Sequence, residues 1–264
     1  MLELEHGFRV VDVHTRLVPD VDRHSGDVPG TPERLEREIV RSLVYPAGQA
    51  ENYLKSNNAI ARMSVGRPFE PLARINGPLD PSGNAGSRLR NLAASRADVH
   101  TAPEDVEQYA YDDRFEGFKL HPGRDGLPDE AVFEALESVG LPVLVHGGEA
   151  FPPATIEETI LEYDFPTIVS HFGGYPLARN RMETAIDLLE THDRCYLDTS
   201  FVRFREPLER ALREHPDRVF FGSGAPMAHP NVAIMEILTL DVPEDAMRRA
   251  FTKNPARVID ALAP

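Results

Sequence analysis

Residues 115–146, FEGFKLHPGRDGLPDEAVFEALESVGLPVLVH, hold one complete strand–helix–strand unit. Two apolar runs, 115–121 and 141–146, each end in a histidine and bracket a segment of helical period over 129–139. In that segment Val132, Phe133, Leu136 and Val139 share one face, and Gly140 supplies the left-handed conformation that ends a helix. Unbroken apolar runs mark strands covered on both faces, and strands alternating with helices mark a parallel sheet.

The same unit recurs outward in both directions. Strands are predicted at 8–14, 40–45, 69–75, 115–121, 141–146, 167–171, 195–199 and 219–222. Helices follow at 177–190, with Met182, Ala185, Ile186 and Leu189 on one face, and at 206–214, with Leu208, Ala211 and Leu212. Eight strands with intervening helices in 264 residues predict an α/β fold: a distorted (β/α)8 TIM barrel with extra C-terminal helices, in one domain over 1–264. The G-x-G-x-x-G turn of an open dinucleotide-binding sheet is missing behind the first strand. The helix at 32–38 is short for a crossover. The segment 77–113 is rich in Gly, Ser, Arg and Asp, with one helix expected at 88–95; it reads either as a cover over the site or as a solvated excursion. The tail reads as two short helices, 243–251 and 255–262.

Composition narrows the partners. With 41% hydrophobic and 27% charged residues the chain is globular, and its single cysteine, Cys195, excludes an internal disulfide and a cysteine-cluster metal site. No run reaches the roughly 18 apolar residues of a membrane span, and no basic-then-apolar leader opens the chain, so a cytoplasmic protein is expected. A net charge of −15 argues against nucleic acid and anionic membranes. Only Lys55, Lys119 and Lys253 are lysines among 28 basic residues. An acid-rich, lysine-poor surface suits a halophile, where molar salt cuts the screening length to about 3 Å.

Barrels of this kind carry their chemistry at the C-terminal ends of the strands. Four of the ten histidines, His14, His121, His146 and His171, fall there. From the fourth strand onward, His121, His146, His171, Asp198 and Gly224 are spaced by 25, 25, 27 and 26 residues, one strand–helix unit each. Equivalent strand ends therefore point at one place. Converging neutral imidazoles need partners when buried, and a divalent cation is their commonest shared one. By the period of two, Asp12 and Val10 share a face with His14, and Lys119 shares one with His121. Lys119 reads as a salt-bridge partner of Asp12 or Asp198, as a charge for a substrate carboxylate, or as a carbamylated metal bridge.

Seven motifs carry a resemblance to a family: VDVH (11–14), GFKLHP (117–122), LPVLVHGGE (141–149), VSHFGGYP (169–176), YLDTS (196–200), FGSGAP (221–226) and KNPARV (253–258). The chain resembles the amidohydrolase superfamily, nearest to amidohydrolase family 2, the branch of aminocarboxymuconate semialdehyde decarboxylase. The resemblance implies a distorted barrel holding one divalent metal, zinc with manganese or cobalt as substitutes. It further implies hydrolysis or non-oxidative decarboxylation of a small carboxylated or cyclic metabolite, and it allows a homodimer. His14, His146 and His171 match metal positions, His171 being a water-activating residue in some members, and Lys119 matches the carbamylated lysine of binuclear members.

Two positions depart from the family pattern. Arg16 replaces the second histidine of the strand-one pair, and Gly224 replaces the strand-eight aspartate. Arginine only donates and glycine has no side chain, so neither binds a metal. Three compensations stand side by side: His121 or carbamylated Lys119 as a ligand, Asp198 as a relocated carboxylate, or His171 drawn onto the ion. In the metal-dependent reading His14, His146 and His171 hold the ion, Asp198 or His171 takes a proton, and Arg16 and Lys119 hold the substrate anion beside His121. The alternative is a metal-free barrel that binds an anionic metabolite or phosphate on Arg16 and on free backbone N–H groups around Gly224.

Overall fold

The computed structural model describes residues 7–18, 39–48 and 53–263; the helix expected at 32–38 lies outside them. Among the described residues nine parallel strands form: β1 (Val11–Leu17), β2 (Arg41–Pro46), β3 (Phe69–Pro71), β4 (Ala73–Ile75), β5 (Phe118–Leu120), β6 (Val143–Gly148), β7 (Thr167–Tyr175), β8 (Cys195–Asp198) and β9 (Val219–Phe220). They pair in the order β1-β2-β3 and β4-β5-β6-β7-β8-β9.

The single strand expected at 69–75 is one stave kinked at Leu72. The Leu72 N–H donates to Val44 in β2 at 2.8 Å, and the Ala73 N–H turns to Gly117 ahead of β5 at 2.9 Å. Eight staves result. The ring closes between first and last: Val13 N–H donates to Phe221 at 3.0 Å and Arg16 N–H to Ala225 at 2.8 Å. The expected TIM barrel is therefore observed.

The two faces of the staves sort their side chains. Leu43, Tyr45, Leu144, Ile168 and Phe220 form an interior cluster plugged by Ile259 and Leu262 from the C-terminal turns. Their alternates Val143, Val145, Val169, Val219 and Phe221 pack outward with helix residues such as Val132, Leu136, Met182 and Leu212. The expected helix at 129–139 spans Glu130–Val139, capped by the Asp129 carboxylate on Val132 N–H and ended by Gly140 at φ 67°.

Three expectations are corrected. Segment 77–113 holds two helices, Ala85–Ala93 and Pro103–Tyr111. Asn76 clips it to the barrel, its side chain taking the Thr101 N–H at 3.0 Å and donating to Val99 at 3.0 Å. The tail is nearly continuous from Glu244 to Val258, with a π-turn at Arg249–Lys253 rather than a break. β1 runs past His14 to Leu17, because Arg16 and Leu17 register with Tyr45 and Pro46. No helix among the described residues is long and apolar enough to cross a membrane.

Candidate active site

Two irregularities aim the histidines. In β1 the register runs from Asp12 opposite Ser42 to Thr15 opposite Val44, so Val13 and His14 together face the single residue Leu43. A bulge of this kind turns a side chain that strict alternation would send to the other face. Val10, expected beside His14, packs in the outer core instead. In β7, Val169 is an outward residue, so alternation would send His171 outward too. Left-handed backbone at His171, Phe172 and Gly173 (φ 61°, 50° and 64°) reverses it. Such backbone costs a non-glycine residue about 1 kcal/mol or more and concentrates at functional sites.

The result is a cluster of rings at the C-terminal mouth. His14 and His171 have centroids 4.8 Å apart, His146 and His171 4.9 Å, and His121 stacks on His146 at 3.9 Å. His14 Nδ1 donates to Asp198 Oδ2 at 2.8 Å, which turns its Nε2 to the Tyr45 hydroxyl at 2.6 Å. His171 Nδ1 donates to the Ser200 carbonyl at 2.9 Å, leaving Nε2 3.3 Å from His146 Nδ1. Asp198 further takes the Ser200 N–H at 2.8 Å and its hydroxyl.

Electrostatics keeps these rings neutral. Burial lowers His14, against the opposing pull of Asp198, and drives His146 well below its ordinary value. Burial also pushes His121 and His171 down to about 3, with Lys119 and His14 respectively adding repulsion. Asp198 goes the other way: burial opposes ionisation, but attraction to and a hydrogen bond from the His14 ring hold the carboxyl below the usual carboxylate range. Lys119 is pushed down to about 7 by burial, Asp198 opposing and Arg74 and Arg16 adding to the shift. Its amine donates to Ser170 at 3.3 Å and sits 5.2 Å from the Tyr45 ring centroid. The salt bridge expected to Asp12 or Asp198 is not formed among the described residues. Asp12 instead accepts from His14 N–H at 2.9 Å, Thr15 Oγ1 at 2.9 Å and Ser223 N–H at 2.8 Å, clasping β1 to the chain after β9.

These groups open onto a cavity of about 330 Å³ lined by His14, His121, His146, His171, Arg16, Arg74, Lys119 and Arg124, with Tyr45, Tyr175 and Phe201 as aromatic walls. Glu149 is the one acidic residue on that wall among the described residues. Arg74 is buried and paired with Asp125 at 2.8 Å, while Arg16 Nε and His121 Nδ1 are buried without a hydrogen-bond partner. Buried polar atoms left without a protein partner on a cavity wall are ones that a polar ligand or water would satisfy. No residue of 77–113 lines the cavity, which corrects the cover reading.

Asp198 and Gly224 stand behind the wall rather than on it. A Cβ on Gly224 would lie 2.4 Å from Phe201 Cε2, and φ there is 74°. The Phe201 ring thus fills the space a strand-eight side chain would need. The backbone groups expected to be free at 222–225 are also spent: their N–H groups go to Thr199 Oγ1, Asp12, His14 O and Ser223 Oγ. That overturns the phosphate cradle. Tyr45, Ser200 and Phe201 escaped the sequence reading. Tyr45 ends an ordinary apolar strand, and only its register opposite Arg16 betrays it.

The donor set fits a divalent cation. His14 and His171 offer ligand atoms within 4.8 Å of one another, in a group whose third member is Asp198 rather than His146. Two nitrogens bound at about 2.1 Å to a tetrahedral ion stand roughly 3.4 Å apart, close to the His146–His171 separation. Anchoring the remote ring nitrogen on a carboxylate or carbonyl, as His14 and His171 do, is the usual support of a metal-bound imidazole.

A family model described as amidohydrolase matches residues 11–260. Among solved structures, an uncharacterized TIM-barrel protein from Bordetella bronchiseptica is 17% identical, with a TM-score of 0.67 over 97% of this chain and 99% of that one. The 2,6-dihydroxybenzoate decarboxylase from Rhizobium is 14% identical, with a TM-score of 0.62 over 95% and 98%. A dihydroxybenzoic acid decarboxylase from Polaromonas sp. JS666, solved with bound manganese and an inhibitor, is 15% identical, with a TM-score of 0.60 over 95% and 96%. No curated protein sequence matches.

Proposed function

The chain belongs to the amidohydrolase family and is an enzyme of hydrolase or carboxy-lyase type; from that premise we propose that it uses one divalent ion, held by His14, His146 and His171, to hydrolyse or decarboxylate a small carboxylated or cyclic metabolite. One observation carries the reading: two buried imidazoles from β1 and β7 and a half-buried one from β6 meet at the mouth of one cavity. The manganese-bearing decarboxylase among the fold relatives supports it. Zinc is the ion we favour. The lysine-poor, acidic composition we read as adaptation to a saline cytoplasm, in one barrel domain.

When bound, such an ion acidifies a water molecule and polarises an oxygen of the substrate. The chain's own groups do the rest. Arg16, with Nε uncommitted, and Lys119 receive the substrate's carboxylate, and His121 borders it. Arg74 and Arg124 make that wall cationic, so an anion is drawn in although the whole chain is acidic. Tyr175 and Phe201 exclude water from the opposite side. Lys119, with an amine at about 7, holds or releases a proton at Nζ near neutral pH. His171 holds its proton at Nδ1, on Ser200. Asp198 acts through His14 as a positioning residue, since it does not reach the cavity.

Metal analysis of protein purified without chelator tests the proposal. We expect near one equivalent per chain, and turnover of carboxylated esters, lactones or hydroxybenzoates that chelator abolishes and zinc, manganese or cobalt restores. Metal-free protein with chelator-insensitive turnover would refute it. That result would favour the second reading, a metal-free barrel binding an anionic metabolite on Arg16 and Lys119, to which the Tyr45 bond on His14 Nε2 lends support.

A further inference from the structure

The Tyr45 hydroxyl lies 2.6 Å from His14 Nε2. The other nitrogen of that ring is committed to Asp198, so Nε2 is the lone pair His14 has left to offer an ion. The tyrosine is not there by chance of a loose loop. Its Cα is the register partner of Arg16 across the β1–β2 pair, its side chain is 2% exposed, and its ring meets His14 edge-on with centroids 5.5 Å apart. Pro46, the next residue, is pinned by Arg74 Nη1, which donates to its carbonyl at 2.8 Å. The phenol donates into the very lone pair that a cation would use, and one lone pair serves one partner at a time.

We propose that Tyr45 is an internal competitor for the metal site: it caps His14 Nε2 in the ion-free protein, and an ion loads only by displacing that hydrogen bond. The proposal rests on the metal-dependent reading above. The cap keeps a buried imidazole lone pair satisfied while the site is empty, which an apolar side chain would not. It also sets a threshold on loading. Ions with weak preference for imidazole, such as magnesium or calcium, gain too little to displace the phenol, whereas zinc or cobalt gain enough.

The test is calorimetric titration of chelator-stripped protein with zinc alone, comparing the wild type with Tyr45→Phe. Removing the competing bond should tighten zinc binding about tenfold. Equal or weaker binding by Tyr45→Phe overturns the cap and leaves the metal-dependent reading standing. Binding by Tyr45→Phe alone supports the cap in its strongest form. No binding by either protein sinks the metal-dependent reading and the cap with it. Should Tyr45→Phe not fold, the wild type still decides. The chain has no tryptophan and 7 tyrosines, so its near-ultraviolet circular dichroism is dominated by tyrosine. Saturating zinc should change that band, and a band unmoved at one bound equivalent overturns the proposal.

Discussion

Gly224 and Phe201 form one packing decision. An alanine at 224 would need a left-handed backbone that glycine adopts freely, and its Cβ would strike the Phe201 ring. Gly224→Ala should therefore cost about 2–4 kcal/mol in urea unfolding, strain and overpacking together. Adding Phe201→Ala should recover part of the loss, a coupling that a double-mutant cycle measures. Asp198→Asn should cost about 3 kcal/mol or more, because it trades a buried carboxylate that accepts from His14 Nδ1, Ser200 N–H and Ser200 Oγ for an amide whose NH2 must face at least one of these donors. Its urea midpoint would fall with an unchanged slope. The spacing of His121, His146 and His171 was readable in the sequence, since strand ends recur once per unit. Tyr45 was not, because one tyrosine closing an apolar strand has the same look whether it fills a core or caps a ring.

Helices were legible where a wide apolar stripe existed. Glu130–Val139 buries Val132, Phe133, Ala135 and Leu136, and both its cap and its stop stand in the sequence. Pro103–Tyr111 buries only Val106 and Tyr109, so periodicity was faint there, although Pro103 and two acids in the first turn mark a helix start. The bulge in β1 and the left-handed turn in β7 have no compositional signature, so the inward aim of His14 and His171 had to come from structure. Asp129 carries two duties, capping Val132 N–H and holding Arg96 through a two-oxygen ion pair. Asp129→Ala should lower stability by about 1–2 kcal/mol, and Asp129→Ser, which keeps the cap, by less. Thermal melts of the two variants separate cap from ion pair.

Acid should be hard on the whole barrel. His171 takes a proton near 6.5 when unfolded but only at about 3 when folded, so between these values the unfolded chain binds more protons. Stability therefore rises with pH across that window and is lost on the way down, by up to about 1.4 kcal/mol per pH unit for such a ring. Lys119 repeats the sign between about 7 and 10.5, where the unfolded chain again holds the extra proton. Urea midpoints should climb from pH 4 to pH 7, and His171→Asn should flatten the climb; a level profile would contradict neutral buried rings. The closing seam carries a consequence for biosynthesis. Partners for the free edge of β1 reside at Phe221, Ser223 and Ala225, over two hundred positions downstream. A growing polypeptide thus leaves the ribosome with its first strand half satisfied, and nothing made before the eighth stave can complete it. Nascent chains halted short of that stave would expose a sheet edge to chaperones or to one another, which makes late synthesis the point of greatest risk for this protein.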